Sequence, residues 1–205
     1  MPQRQNARAF ALRNELPSLA RGARIGVALV VLLVIGGIGC ASGGVGVGPN
    51  ASKPLKMVES VDLERFAGLW YVISSMPTSA EEGAHNSTEE YTLREDGEID
   101  IENRFRVGAF DGPEKIITMR GWVHNEVTNS EWRVQPIWPI RLSYLILELD
   151  PDYQHVVVGH PSKRYVWIMS RQPTLDPEIE ADLRARLGEA GYDVEKIQVM
   201  PQQAR

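Results

Sequence analysis

Two adjacent carboxylate pairs, Glu81-Glu82 and Glu89-Glu90, four histidines and one cysteine, Cys40, are the first places to look for chemistry in this chain. Two carboxylates share acid and base work only when they face one bond from opposite sides. On an extended backbone, neighbouring side chains point to opposite faces, so neither pair can flank a substrate. His85, His124, His155 and His160 fall in or beside turn-forming segments, with no His-x-x-x-His spacing. Cys40 has no second cysteine with which to share a metal or a disulfide. The sequence contains no Gly-x-Ser-x-Gly elbow, no Walker loop and no Gly-x-Gly-x-x-Gly turn. The inventory argues against an enzyme and against a metal site, and it calls for no cofactor. Binding is the chemistry that remains.

The elements that would position a binding site begin near Val61. Short apolar or alternating runs cover Leu69–Ser74, Ser87–Leu93, Glu98–Phe105, Lys115–Val123, Glu131–Pro136, Ser143–Leu149, His155–Gly159 and Tyr165–Ser170. Turn residues separate them: Asp96-Gly97, Asp111-Gly112-Pro113, Asn129-Ser130, Asp150-Pro151-Asp152 and His160-Pro161-Ser162. An Asp-Gly pair between two alternating runs is a strong hairpin signal. No helix is placed to make a crossover between parallel strands, so the pattern predicts an all-β, eight-stranded antiparallel up-and-down barrel. One helix follows, capped by Asp176 with Pro177 in its first turn. Its stripe of Ile179, Leu183 and Leu187 predicts that it packs outside the barrel, with its charged face in water.

The first forty residues have a different character. They carry five Arg and one Glu, leaving 17 basic and 26 acidic side chains in the rest, a net of −9. An acidic body excludes nucleic acid as a partner, because phosphate backbones are bound by clustered Lys and Arg. Ile25 to Ile38 is uncharged and shorter than the roughly 20 residues a membrane-spanning helix needs. The run ends in Gly37-Ile38-Gly39-Cys40, which resembles the signal of bacterial lipoproteins, although the family usually has a branched residue where Gly37 stands. The resemblance implies a signal peptide over residues 1–39 and acylation of Cys40 (palmitate among the acyl chains), with an address at the outer membrane. An uncleaved signal anchor is the alternative. Residues 40–56 are Gly- and Pro-rich and read as a lipidated cysteine followed by a flexible tether. The folded domain is expected over residues 57–205.

Three motifs carry a further resemblance. Leu63-Glu64-Arg65-Phe66-Ala67-Gly68-Leu69-Trp70-Tyr71 looks like the Gly-x-Trp motif of lipocalins, preceded by a short helical turn. Leu149-Asp150-Pro151-Asp152-Tyr153 resembles the Asp-x-x-Tyr loop between late strands, and Trp167 to Pro173 resembles the last strand with its terminal Arg171. Together, in this order and followed by a helix, they resemble the lipocalin family over residues 58–200, nearest its bacterial outer-membrane branch. The resemblance implies that Trp70 plugs the closed end of the barrel, that Arg171 packs across it, and that Gly68 lets the backbone pass close by. Gly68, Trp70, Asp150, Tyr153 and Arg171 would then mark the fold rather than the ligand.

Alternation along each strand selects the residues expected to line the barrel: Glu89 and Tyr91, then Ile101, Asn103 and Phe105, then Trp132, Tyr144, Ile146, Glu148 and Trp167. Trp138, in the apolar segment Pro136–Ile140, is expected at the open rim as a lid, a membrane-dipping edge or simple loop packing. Glu89 and Glu148 stand where the family usually has small or aromatic residues. A carboxylate inside a barrel must be paired or protonated. Each either pairs with Arg104, Arg120, Arg133 or a cationic ligand headgroup, or faces water because a bulge shifts the register. The function expected is a lipid-anchored carrier of a fatty acid, lysophospholipid or similar molecule, for lipid storage, transport or membrane maintenance in the cell envelope. The anchored domain would lie on the periplasmic face. The alternatives are an envelope lipoprotein with a filled barrel and, behind it, an enzyme acting on a lipophilic substrate. Partners are a hydrophobic small molecule and the membrane, with a homodimer left open.

Overall fold

The computed structural model describes residues 54–203, so the signal-peptide reading, Cys40 and most of the tether lie outside the described residues. A single helical turn, α1 (Leu63–Phe66), leads into β1 (Gly68–Met76). There follow β2 (Ala84–Leu93), β3 (Ile99–Val107), β4 (Glu114–Val123), β5 (Glu131–Ile137), β6 (Ile140–Leu149), β7 (His155–Gly159) and β8 (Val166–Ser170). Each strand pairs antiparallel with the next, and β1 pairs with both β2 and β8, which closes the barrel. The turn between β2 and β3 works as its residues demand. Gly97 takes φ 82°, and the Asp96 carboxylate accepts from the Glu98 N–H at 3.1 Å.

A ninth strand was not expected from the sequence. β1 and β2 are paired only from Gly68 to Tyr71. Beyond that point the C-terminal segment enters the gap, with β9 (Gln198–Val199) on β1 and the Asn86 N–H donating to the Pro201 carbonyl at 2.8 Å. The side-chain amide of Gln202 donates to the carbonyls of Val72 and Ser87, at 2.8 and 2.7 Å, so one glutamine satisfies both separated strands. A two-residue pairing carries no periodicity, which is why the pattern did not reveal it.

The helix α2 (Pro177–Glu189) lies outside the barrel, with Asp176 capping the Glu178 N–H at 2.8 Å. Leu183 and Leu187 are buried against Leu145, Leu147, Val157, Val166 and Ile168. Burying each leucine contributes about 1.5–3 kcal/mol. Ile179 departs from the expected stripe: it is 37 % exposed. It stands in the first turn, at the end where the helix begins.

Candidate functional site

At the closed end the chain is tied together through Arg171. Its guanidinium lies 3.7 Å from the Trp70 ring centroid and donates to the carbonyls of Arg65, Phe66, Ala67 and Leu69 at 2.7–3.0 Å. Its Nε donates to the Tyr153 carbonyl at 3.3 Å. The carbonyls of Arg65, Phe66 and Ala67 lie at the end of α1, where no intrahelical partner remains for them. Gly68, at φ 92°, would place a Cβ 3.6 Å from the Arg171 Nη1. Asp150 holds its loop by accepting from the N–H groups of Asp152 and Gln154, at 3.0 and 3.1 Å. Tyr153 is in a left-handed conformation at φ 59°, and its hydroxyl accepts from the Asp62 N–H at 2.9 Å. The five motif residues therefore meet in one buttress.

Above this plug, aromatic rings fill the closed half of the barrel. Phe66 sits 5.1–5.3 Å, centroid to centroid, from Trp70, Tyr91 and Trp132, and Trp132 stacks on Tyr144 at 5.5 Å. The Trp132 Nε1–H donates to the Asn129 carbonyl at 2.7 Å, so its polar edge is satisfied. Ile101, Phe105 and Ile146 add buried apolar wall.

A polar band crosses the interior over these rings. Glu89 is fully enclosed; the Tyr91 hydroxyl donates to one of its oxygens, and the Tyr144 hydroxyl lies within hydrogen-bond reach of both that oxygen and the Tyr91 hydroxyl. Its other oxygen accepts from Asn103 Nδ2 at 3.3 Å. The same nitrogen reaches Glu81 Oε1 at 3.5 Å, and Trp167 Nε1 donates to that oxygen at 3.2 Å. Burial is the largest influence on the Glu89 carboxyl and pushes it up to about 7, with Glu81 adding repulsion and the Tyr91 and Asn103 bonds opposing. Burial, reinforced by Glu89, also raises the phenols of Tyr91 and Tyr144 well above their ordinary range, so both remain donors.

Glu81 is the residue that sequence reasoning missed. It lies in the 77–83 loop, where it was read only as half of an adjacent pair, yet it is 7 % exposed. Its Oε2 accepts from the Thr78 N–H at 3.0 Å and from the Thr78 hydroxyl at 2.6 Å. The Thr78-x-x-Glu81 spacing is that of a capping box and was the available signal. This contact folds the loop across the open end. Lys115 Nζ holds it from the other side, donating to the Ala80 carbonyl at 3.1 Å.

One expected lining residue is elsewhere. Strict alternation from Ile146 turns Glu148 inward, but a bulge between them shifts the register against β7. Glu148 consequently faces α2 and pairs with Arg186 at 3.2 Å. Trp138, expected at an exposed apolar rim, is 82 % exposed at the tip between β5 and β6 and belongs to neither core cluster. Nor do the expected arginine partners reach Glu89. Arg104 bonds Glu102 and Glu114, Arg120 bonds Glu98, and Arg133 bonds Glu131. No group of His, Cys, Asp and Glu among the described residues is arranged to hold a metal. The site offers enclosed acceptors, aromatic walls and one carboxyl raised to about 7.

Residues 61–202 match a family model described as a lipocalin-like domain. The chain is 28 % identical over 165 residues to temperature-induced lipocalin-1 of Arabidopsis thaliana, covering 73 % of this chain and 84 % of the relative. It is also 28 % identical over 149 residues to the outer membrane lipoprotein Blc of Escherichia coli, with the same coverage of each chain. Among solved structures, insecticyanin from the tobacco hornworm Manduca sexta superposes with a TM-score of 0.57 at 19 % identity, over 72 % of this chain and 84 % of that one.

Proposed function

The chain belongs to the lipocalin-like family, and from that premise we propose that it is a binding protein whose barrel takes up a hydrophobic molecule, a fatty acid, lysophospholipid or similar, without transforming it. The composition of the interior carries this reading. Ile101, Phe105, Ile146, Val158 and Met169 are buried together in the apolar cluster inside the barrel. Apolar surface moved from water against such side chains gains about 25 cal/mol per Å². We further read Cys40 as an acylated N-terminus that holds the domain at the outer membrane on the periplasmic face. The name of the Escherichia coli relative, an outer membrane lipoprotein, supports this address. Storage, transport or maintenance of membrane lipid is the role such a protein would serve.

A second reading is favoured by a specific observation. The ring stack from Trp70 to Tyr144 fills the closed half with the chain's own side chains, as a structural or interaction lipoprotein of the envelope would have it. Native mass spectrometry of the full chain, followed by titration with fatty acids and lysophospholipids, separates the two. A co-purified lipid or saturable binding at micromolar concentration supports the carrier. A bare mass with no response to any lipid moves the filled barrel to the front. The same spectra read whether two copies associate.

A further inference from the structure

The polar band in the barrel is short of positive charge. Glu81 and Glu89 each place an oxygen within 3.5 Å of a single nitrogen, that of Asn103. Among the described residues no Lys, Arg or His side chain forms an ion pair with either carboxylate. Lys115, on β4, spends its ammonium on the Ala80 carbonyl and over the Phe105 ring, 5.5 Å from its centroid. Arg104 and Arg106, on β3, both turn outward to Glu114. The remaining groups facing Glu89 are neutral donors, Tyr91 from its own strand, Tyr144 from β6 and Asn103 from β3. Asn103 itself is 2 % exposed, and its Oδ1 has no hydrogen-bond partner. A buried acceptor left in this state is destabilising, and it marks where a donor belongs.

Resting on the proposed binding of an apolar molecule, we infer that the barrel selects amphiphiles with a protonated amine head, the ammonium being held by Glu81 Oε1, Glu89 Oε1 and Asn103 Oδ1. Asn103 Nδ2 lies at hydrogen-bond distance from both carboxylates, so one nitrogen can reach the pair; the ammonium takes that place as the Asn103 amide turns, leaving Oδ1 to accept from it. An ammonium supplies three N–H donors and a full charge, which matches three acceptors and offsets the repulsion between Glu81 and Glu89. A carboxylate head meets the opposite situation and is repelled. A free alkylamine and the ethanolamine head of a lipid present this same group.

Binding an ammonium requires Glu89 ionised, whereas burial holds its carboxyl at about 7. The group is about one-tenth ionised at pH 6 and about nine-tenths at pH 8, so affinity for an amine rises about tenfold between them, with release of a proton. The experiment is calorimetric titration of the full-length chain with octylamine, octanoate and 1-octanol at both pH values, in buffers of different ionisation enthalpy. A short-chain lysophospholipid with an ethanolamine head forms a fourth arm. Octylamine is expected to bind at least tenfold more tightly than octanoate at pH 8 and to lose about tenfold at pH 6, while octanol is unchanged. A matching pH dependence for the lysophospholipid identifies a lipid head as the source, and its absence identifies a free amine. Glu89→Gln is expected to reduce octylamine to the affinity of octanol. Should that variant fail to fold, Glu81→Gln and the wild-type pH profile read the same preference. Equal binding of amine, carboxylate and alcohol at both pH values overturns the amine assignment and leaves hydrophobic binding standing. No binding of any probe overturns both.

Discussion

Replacing Glu89 by Gln tests whether a carboxyl buried among two phenols and an amide behaves as its surroundings require. In the folded protein the group is pushed from 4.5 up to about 7, chiefly by burial. A carboxyl raised in the folded state binds its proton more tightly there than in the unfolded chain. Its contribution to stability is therefore fully present below pH 4.5 and is lost as pH rises towards and through 7. Between pH 5 and pH 8 the loss from this one group is about 2.5 kcal/mol. The Gln amide keeps the shape but cannot ionise, so the variant lacks this loss. Urea unfolding of both proteins at pH 5 and pH 8, followed by tryptophan fluorescence, yields the stability difference at each pH. Taking the difference between proteins cancels the titrating groups that are not coupled to Glu89. The variant is expected to gain about 2.5 kcal/mol on the wild type from pH 5 to pH 8. A difference that stays constant within about 0.5 kcal/mol would mean that Glu89 is not enclosed in this way, and the reasoning about the polar band would fall with it.

Other substitutions probe the frame. Arg171→Ala removes five donations to carbonyls and the contact with Trp70, and is expected to cost about 3 kcal/mol, or about 6–12 °C in Tm, by thermal unfolding. Arg171→Lys, with one compact ammonium in place of a planar fork, should recover less than half of that. Ending the chain after Ile197 removes β9 and the Gln202 amide from the gap between β1 and β2; hydrogen exchange should then accelerate at Asn86 and Met200's former partner strand β1 while β4–β7 stay protected. Glu148→Ala breaks an exposed pair with Arg186 and should change stability by less than about 0.5 kcal/mol, with ligand affinity unaltered; a large loss of affinity would return Glu148 to the interior.

What could be read from the sequence was whatever a strict period or a local turn encodes. All eight barrel strands and α2 announce themselves through alternation, Asp-Gly and Asp176-Pro177, because each of those signals is complete within a dozen residues. The inward placement of Glu89 and Tyr91 follows from the same alternation, since β2 pairs with β3 without a break from Thr88 to Leu93. Glu148 was lost at a bulge, where one extra residue reverses the side-chain faces and leaves no mark in composition. Glu81 was missed for another reason: its role depends on a loop folding over the end of the barrel, onto Asn103 and Trp167 far away in the chain. Gln202 is of the same kind, reaching two strands more than a hundred residues earlier. Contacts of long sequence separation made by single side chains carry no period to detect.

The barrel interior is the proposed place of binding for an apolar molecule, and the five tryptophans report on it separately. Trp70, Trp132 and Trp167 lie in or against the interior cluster, Trp122 carries Arg141 over its ring, and Trp138 is exposed at a hairpin tip. Indole N–H resonances of the nitrogen-labelled chain, assigned by single substitutions, would be followed during titration with octylamine and with a lysophospholipid. Saturable shifts at Trp167 and Trp132, with Trp122 and Trp138 unmoved, are the expected result. Shifts confined to Trp138 and Trp122 would place the ligand on the outer surface and contradict the account.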